Sequence, residues 1–303
     1  MGTIVTYPRE RHPESRQLKP ADMKDETDRE ILARVLCENV RNWIDDPARD
    51  KIVNMDVDLG PPRPALTPEQ IEERDKAGAG AFGHTCIIEP ADLDLYESYM
   101  YPPLTMPAKP QIMVSYWDMN QGKVNFMEGR IMVLAMCPDG IESWLVISIP
   151  VPNFYTCLEG NCWGWPKYVC DEMTVEKDHS ECIYEGKPSL TMDFTPHDFD
   201  EATIKQLKDN GTEGGNTISF HMATGGIGQP TLIRQGTGKR SSSYLGTHFA
   251  EWEAGMIKVW ARPEDKWSGL LPENCEVPGV WQRTFGTAGG GGGMFKVKTS
   301  PAK

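Results

Sequence analysis

Gln111-Ile112-Met113-Val114-Ser115-Tyr116-Trp117-Asp118, then Asn125-Phe126-Met127-Glu128-Gly129-Arg130-Ile131-Met132-Val133-Leu134-Ala135-Met136-Cys137, then Ser143-Trp144-Leu145-Val146-Ile147-Ser148-Ile149-Pro150-Val151 decide the fold class. Each run is rich in Val, Ile, Met and aromatic residues. Asn120-Gln121-Gly122 and Pro138-Asp139-Gly140 separate them as turns. This texture predicts consecutive strands joined by short connections.

The same texture continues outward. His84 to Glu89 reads as a strand before the three, followed by a short helix opened by Pro90-Ala91-Asp92-Leu93-Asp94-Leu95-Tyr96. Downstream strands are expected at Tyr168 to Val175, Glu181 to Tyr184, Ser189 to Phe194, Thr217 to Met222, Thr231 to Arg234 and Met256 to Ala261, with a helix over Phe199 to Lys208. Many short strands and few long helices predict a mainly β (α+β) fold, an antiparallel barrel-like sheet with peripheral helices.

Upstream, Ile31, Leu32, Val35, Leu36, Val40, Trp43 and Ile44 recur at helical spacing, predicting a helix from Asp25 to Asp45. Thr67-Pro68-Glu69-Gln70 supplies the start of a second, running to Lys76. Residues 1–80 therefore read as an N-terminal arm and helical extension, 81–285 as the β domain, and 286–303 as a flexible glycine-rich tail.

The chain has 303 residues, 39% hydrophobic and 25% charged, as expected of a soluble globular protein. A net charge of −13 argues against nucleic acid or an anionic membrane as partner, since both need a basic face. No run has the length of a membrane span, and Met1 to Pro20 has no apolar core of signal-peptide length. The eight cysteines form no compact framework. Reduced thiols and a cytoplasmic location are the expectation. Cys157, Cys162, Cys170, His179 and Cys182 include no C-x-x-C pair, so no metal is expected. Gly225-Gly226-Ile227-Gly228 lacks the full dinucleotide fingerprint, and no G-x-S-x-G elbow is present.

Two residues invite chemistry. In Glu159-Gly160-Asn161-Cys162-Trp163-Gly164-Trp165-Pro166-Lys167-Tyr168-Val169-Cys170, the lysine is flanked by Trp163, Trp165 and Val169, and Pro166 stiffens the chain before it. Burial disfavours a charged form, and an uncharged lysine amine is a nucleophile that forms a Schiff base with a ketone. A lysine whose stem packs on tryptophan and whose head stays in water explains the same residues. The second is Glu128, in the middle of an apolar strand. It is either a general acid/base near the lysine or the partner of Arg130, which shares its face.

Trp163-Gly164-Trp165-Pro166-Lys167 resembles the Trp-Gly-Tyr-Pro-Lys motif of the acetoacetate decarboxylase family. Aligned on that lysine without a gap, Glu128 falls on the family's catalytic glutamate. Weaker similarity extends from His84 to Pro272, through Ala91-Asp92-Leu93-Asp94, Gln111 to Trp117, Gly228-Gln229-Pro230 and Trp267-Ser268-Gly269-Leu270-Leu271-Pro272. The resemblance implies an acetoacetate decarboxylase-like domain and a homo-oligomer. It also implies a cofactor-independent lyase in which Lys167 is the Schiff-base nucleophile and Glu128 the acid/base.

The departures shape the expected substrate. Tyr168 stands where decarboxylases of the family carry a second lysine, and Glu159-Gly160-Asn161 where they carry Gly-Arg-Glu. The second active-site glutamate falls on Met113, and the carboxylate-binding arginine falls near Gly80 to Phe82. The expected substrate is a keto acid or ketone, with decarboxylation of a β-keto acid larger than acetoacetate as the leading reaction. Met113, Trp117, Trp163, Trp165 and Arg130 would line the site, with His84 as a replacement donor or base; the same residues also suit a core. Aldolase, dehydratase or cyclase chemistry on the same imine is the alternative, as is a catalytically degenerate ligand-binding protein.

Overall fold

The computed structural model describes residues 69, 80–120, 125–152, 156–157, 160–161, 164–209, 217–221, 231–236, 249–284 and 293–296. Apart from Glu69, the two N-terminal helices expected from the sequence lie outside the described residues, as does Trp163.

The described strands are β1 (Gly80–Ile88), β2 (Ile112–Asn120), β3 (Asn125–Met136), β4 (Glu142–Val151), β5 (Lys167–Val169), β6 (Glu172–Val175) and β7 (His179–Tyr184). They continue as β8 (Lys187–Pro196), β9 (Thr217–His221), β10 (Thr231–Gly236), β11 (Phe249–Ala261), β12 (Glu276–Thr284) and β13 (Gly293–Lys296). The helices among the described residues include α1 (Leu93–Ser98) and α2 (Glu201–Asp209). The strands join in the order β13-β10-β9-β4-β3-β2-β1-β12-β11-β8-β7-β6, with β5 added on β4. The sheet is strongly curled into a half-barrel, so the mainly β expectation holds. Among the described residues no helix is long and apolar enough to cross a membrane.

The expected antiparallel sheet is observed for most strand pairs, but the sheet is mixed. Both parallel contacts fall on β4, one with β5 and one with β9. Residues 152–166 supply the crossover that the β4–β5 pair requires. The single strand expected over Tyr168 to Val175 is two. The Cys170 N–H bonds to Val151 O while the Asp171 N–H bonds to Ile183 O, so the chain changes partner from β4 to β7 between these residues.

Two strands were not anticipated. β12 contains Pro278-Gly279, which reads as a break, yet Pro278 lies one residue beyond the last β12 residue paired with β1, so its missing N–H costs that ladder nothing. The tail expected to be flexible contributes β13, in which Gly293-Met294-Phe295-Lys296 pairs with β10.

Side-chain alternation along the strands separates two larger apolar groups among the described residues, beside a small one of Ala81, Trp117 and Met119. The larger takes Ile112, Val114 and Tyr116 from β2, Ile131, Val133 and Ala135 from β3, and residues from most other strands. Tyr96 joins it from α1, whose start is fixed by Asp92 accepting from the Leu95 N–H at 2.8 Å. The second takes the intervening residues Met113, Met132 and Leu134, with Ile149, Val151 and Cys157. Glu128 and Arg130 belong by parity to this second face, because Met127 packs with the larger core.

Candidate active site

Lys167 opens β5 and pairs with Ile149 of β4, which points into the second apolar group. Its Nζ donates to Oε2 of Glu128 at 2.8 Å, and the two side chains are only 4% and 2% exposed. Residues 39 apart in sequence thus meet away from water. A β-strand and a short parallel strand on its neighbour's far edge bring them together.

Several local devices hold the lysine. Gly164 adopts φ +78°, and its N–H bonds to Asn161 O at 3.0 Å, closing a tight turn before Pro166. Asn161 donates from Nδ2 to the carbonyls of Cys157 and Lys167, both at 2.9 Å. Gly160 lies against the lysine stem: a Cβ there would sit 2.3 Å from Cδ and 2.4 Å from Cε of Lys167. The Trp165 ring lies 5.5 Å from Nζ, within cation–π range.

Glu128 serves two cations. Arg130 donates through Nε and Nη2 to its Oε1, while Lys167 takes Oε2. Burial pushes the Glu128 carboxyl up, but the charges and hydrogen bonds of Arg130 and Lys167 outweigh it and hold the group below its ordinary value. The two sequence readings of Glu128, partner of Arg130 and neighbour of the lysine, are therefore both present in one arrangement. The amine is dry, as expected, but it rests against a carboxylate rather than in a purely apolar chamber.

Trp117 is the cross-strand partner of Glu128, and Met113 sits two pleats further along the same face, packed with Ile149 and Cys157; Trp165 packs on that group too. His84 is not brought to the site. It pairs with Tyr116 of the larger core, stacks on Phe194 at 5.6 Å, and both ring nitrogens are engaged, Nε2 with Lys177 O at 2.7 Å and Nδ1 with Ser180 Oγ at 3.0 Å. Burial lowers its pKa despite the Lys177 carbonyl, which suits a neutral structural imidazole. Tyr168, next to Lys167, points to the opposite face and meets the Tyr184 ring edge-on at 5.1 Å.

Sequence reasoning missed Asn161 and Gly160 as supports of the lysine, although their departure from the family's Gly-Arg-Glu marked the place. It also missed Ser115, which alternates with Met113 and Trp117 and faces Arg130.

No family model and no curated protein matches the chain. Among solved structures, the fold is similar to that of an acetoacetate decarboxylase at TM-score 0.51 and 13% identity, covering 72% of this chain and 87% of that one. It is likewise similar to the acetoacetate decarboxylase of Legionella pneumophila at TM-score 0.50 and 14% identity, covering 73% and 87%. The chain has an acetoacetate decarboxylase-like fold.

Proposed function

We propose that this chain, on its acetoacetate decarboxylase-like fold, is a Schiff-base lyase acting on a keto acid. Lys167 is the nucleophile and Glu128 the acid/base. The observation that carries the reading is the buried 2.8 Å contact between Lys167 Nζ and Glu128 Oε2. A lysine ammonium cannot attack a carbonyl, and the carboxylate beside it is placed to take its proton. Arg130 keeps a charge next to that carboxylate throughout.

The steps then follow. The ammonium proton passes to Glu128, and the free amine adds to the ketone carbon. Glu128 gives that proton to the departing hydroxyl, so the carbinolamine loses water and leaves a protonated imine, which is an electron sink. With a β-keto acid, the bond to the carboxylate breaks, its electron pair delocalises into an enamine, and carbon dioxide leaves. A second proton, taken up from water, reaches the enamine carbon through Glu128, and water then adds to the imine to release the ketone and the lysine. A carbanion equivalent formed this way can also add to an aldehyde, so aldol or dehydration chemistry uses the same residues. Met113, Trp117 and Trp165 give the site an apolar lining suited to a substrate larger than acetoacetate.

Borohydride trapping tests this. Incubation with a panel of keto acids and reductant should leave a mass adduct on the peptide carrying Lys167, absent in Lys167→Met. No adduct with any ketone, together with measurable ligand binding, would replace the lyase with a ligand-binding protein.

A further inference from the structure

Beside the Lys167–Glu128–Arg130 group lies a set of polar side chains that no group among the described residues satisfies. Thr85 on β1 pairs in register with Ser115 on β2, and Ser115 pairs in turn with Arg130 on β3. Directly paired residues of antiparallel strands project from the same face with their Cβ atoms about 5 Å apart. Thr85, Ser115 and Arg130 therefore form one row across three strands. The adjacent row on the same face carries Trp117 and Glu128. Thr85, Ser115 and Trp117 are 1%, 0% and 1% exposed. Among the described residues the Thr85 and Ser115 hydroxyls and the Trp117 Nε1 have no hydrogen-bond partner.

One orphaned donor in a core is a modest cost; three on one face, next to a buried ion pair, point to a common purpose. The indole N–H can only donate, and each hydroxyl can donate one hydrogen, so the set suits an acceptor-only group. A carboxylate accepts up to about four hydrogen bonds and fits it. The two rows are one pleat repeat apart, about 7 Å between backbones. A ligand whose ketone reaches Lys167 and whose acceptor reaches this row must carry the two within a few bonds of each other.

We propose that Thr85, Ser115 and Trp117 form a carboxylate subsite that holds the acid group of the keto acid through uncharged donors. The proposal rests on the Schiff-base reading of Lys167 for the substrate's ketone, but the subsite stands on its own geometry. Uncharged donors are also the better choice for loss of carbon dioxide. A guanidinium clamp would stabilise the reactant carboxylate strongly and lose that stabilisation as neutral carbon dioxide forms, whereas hydroxyls and an indole N–H favour the ground state less.

Two measurements separate the subsite from the nucleophile. Butanoate, a carboxylate without a ketone, is titrated into wild type, Ser115→Ala, Thr85→Val and Trp117→Phe by calorimetry. Borohydride trapping is then run on each with a keto acid and with a methyl ketone of equal length. The expected result is butanoate binding to wild type that weakens about tenfold or more in each variant. The trapping concentration should rise similarly for the keto acid and stay unchanged for the methyl ketone. Thr85→Val should fold at least as stably as wild type, because it removes an unsatisfied hydroxyl at nearly constant volume, so it keeps the test alive if another variant fails to fold. Unchanged butanoate and keto acid affinity in the variants would mean the donors hold only ordered water, and would overturn the subsite. Equal weakening for keto acid and methyl ketone would mean a packing role and would overturn it too. Butanoate binding that the variants weaken, with no adduct on Lys167, would keep the subsite and reject the Schiff base.

Discussion

Glu128 is shared by two cations, and its removal is expected to cost more than removal of either partner. Glu128→Gln takes away the carboxylate that both Lys167 and Arg130 face, a loss of about 3–5 kcal/mol for a buried pair broken on one side. Lys167→Met leaves the carboxylate with Arg130 and replaces the amine by an apolar group of similar length, so its cost should be clearly smaller. Urea denaturation of the two variants gives the order directly. The pH dependence has a fixed sign. The Glu128 carboxyl is held below its ordinary value of 4.5, so the unfolded chain binds its proton more readily than the folded one. The stabilisation is complete above that ordinary value and is lost as the pH falls through the folded value. The gap between wild type and Glu128→Gln should accordingly be widest near neutrality and narrow in acid; a gap that widens on acidification would contradict the ion-pair reading. Gly160→Ala belongs to the same scale. The added methyl meets the Lys167 stem at 2.3–2.7 Å, so the lysine must shift, and the rate of borohydride trapping should fall several-fold while thermal unfolding changes modestly.

At the scale of the element, β5 is three residues long and depends on what anchors it. Its lysine carbonyl and the Cys157 carbonyl are tied together by one amide, that of Asn161. Asn161→Ala should therefore raise backbone amide exchange in the segment carrying Lys167 by an order of magnitude or more, for a loss of about 1–2 kcal/mol, and leave exchange in β11 and β12 unchanged. Uniformly faster exchange would argue that Asn161 supports the whole sheet instead. The element scale also marks what the sequence could express. The strands from Ile112 to Val151 were legible because apolar β-branched and aromatic residues fill them and turn residues bound them. Glu128 and Lys167 were legible as residue types in a motif. Their contact was not, since local periodicity does not say that β5 lies parallel to β4, nor that Cys170 and Asp171 hydrogen-bond to different strands. His84 shows the converse. Its place just after the position of the family's carboxylate-binding arginine suggested the site, but face parity, set by pairing with Tyr116, sends it to the other core.

Across the whole molecule, β12 joins the strands on the β1 side to β11, β8, β7 and β6. Its Pro278-Gly279 pair hid it from sequence reading, and the glycine is there because two neighbours press on it. A Cβ at Gly279 would stand 2.4 Å from Cδ1 of Ile257 and 2.9 Å from the Thr85 carbonyl oxygen. The Ile257 side chain can rotate away only within a packed core, and the Thr85 carbonyl belongs to the backbone of β1 and can yield only if the β1–β12 pairing yields with it. Gly279→Ala should cost about 1–3 kcal/mol by overpacking and lower the thermal midpoint by several degrees. Because the carbonyl it strikes belongs to Thr85, the same change should also disturb the hydroxyl row beside the ion pair. Calorimetry with and without butanoate reads both effects. Loss of stability alone would place the strain wholly in the β11–β12 contact, whereas loss of stability with weakened butanoate binding follows if one backbone serves both the closure of the sheet and the geometry of the site.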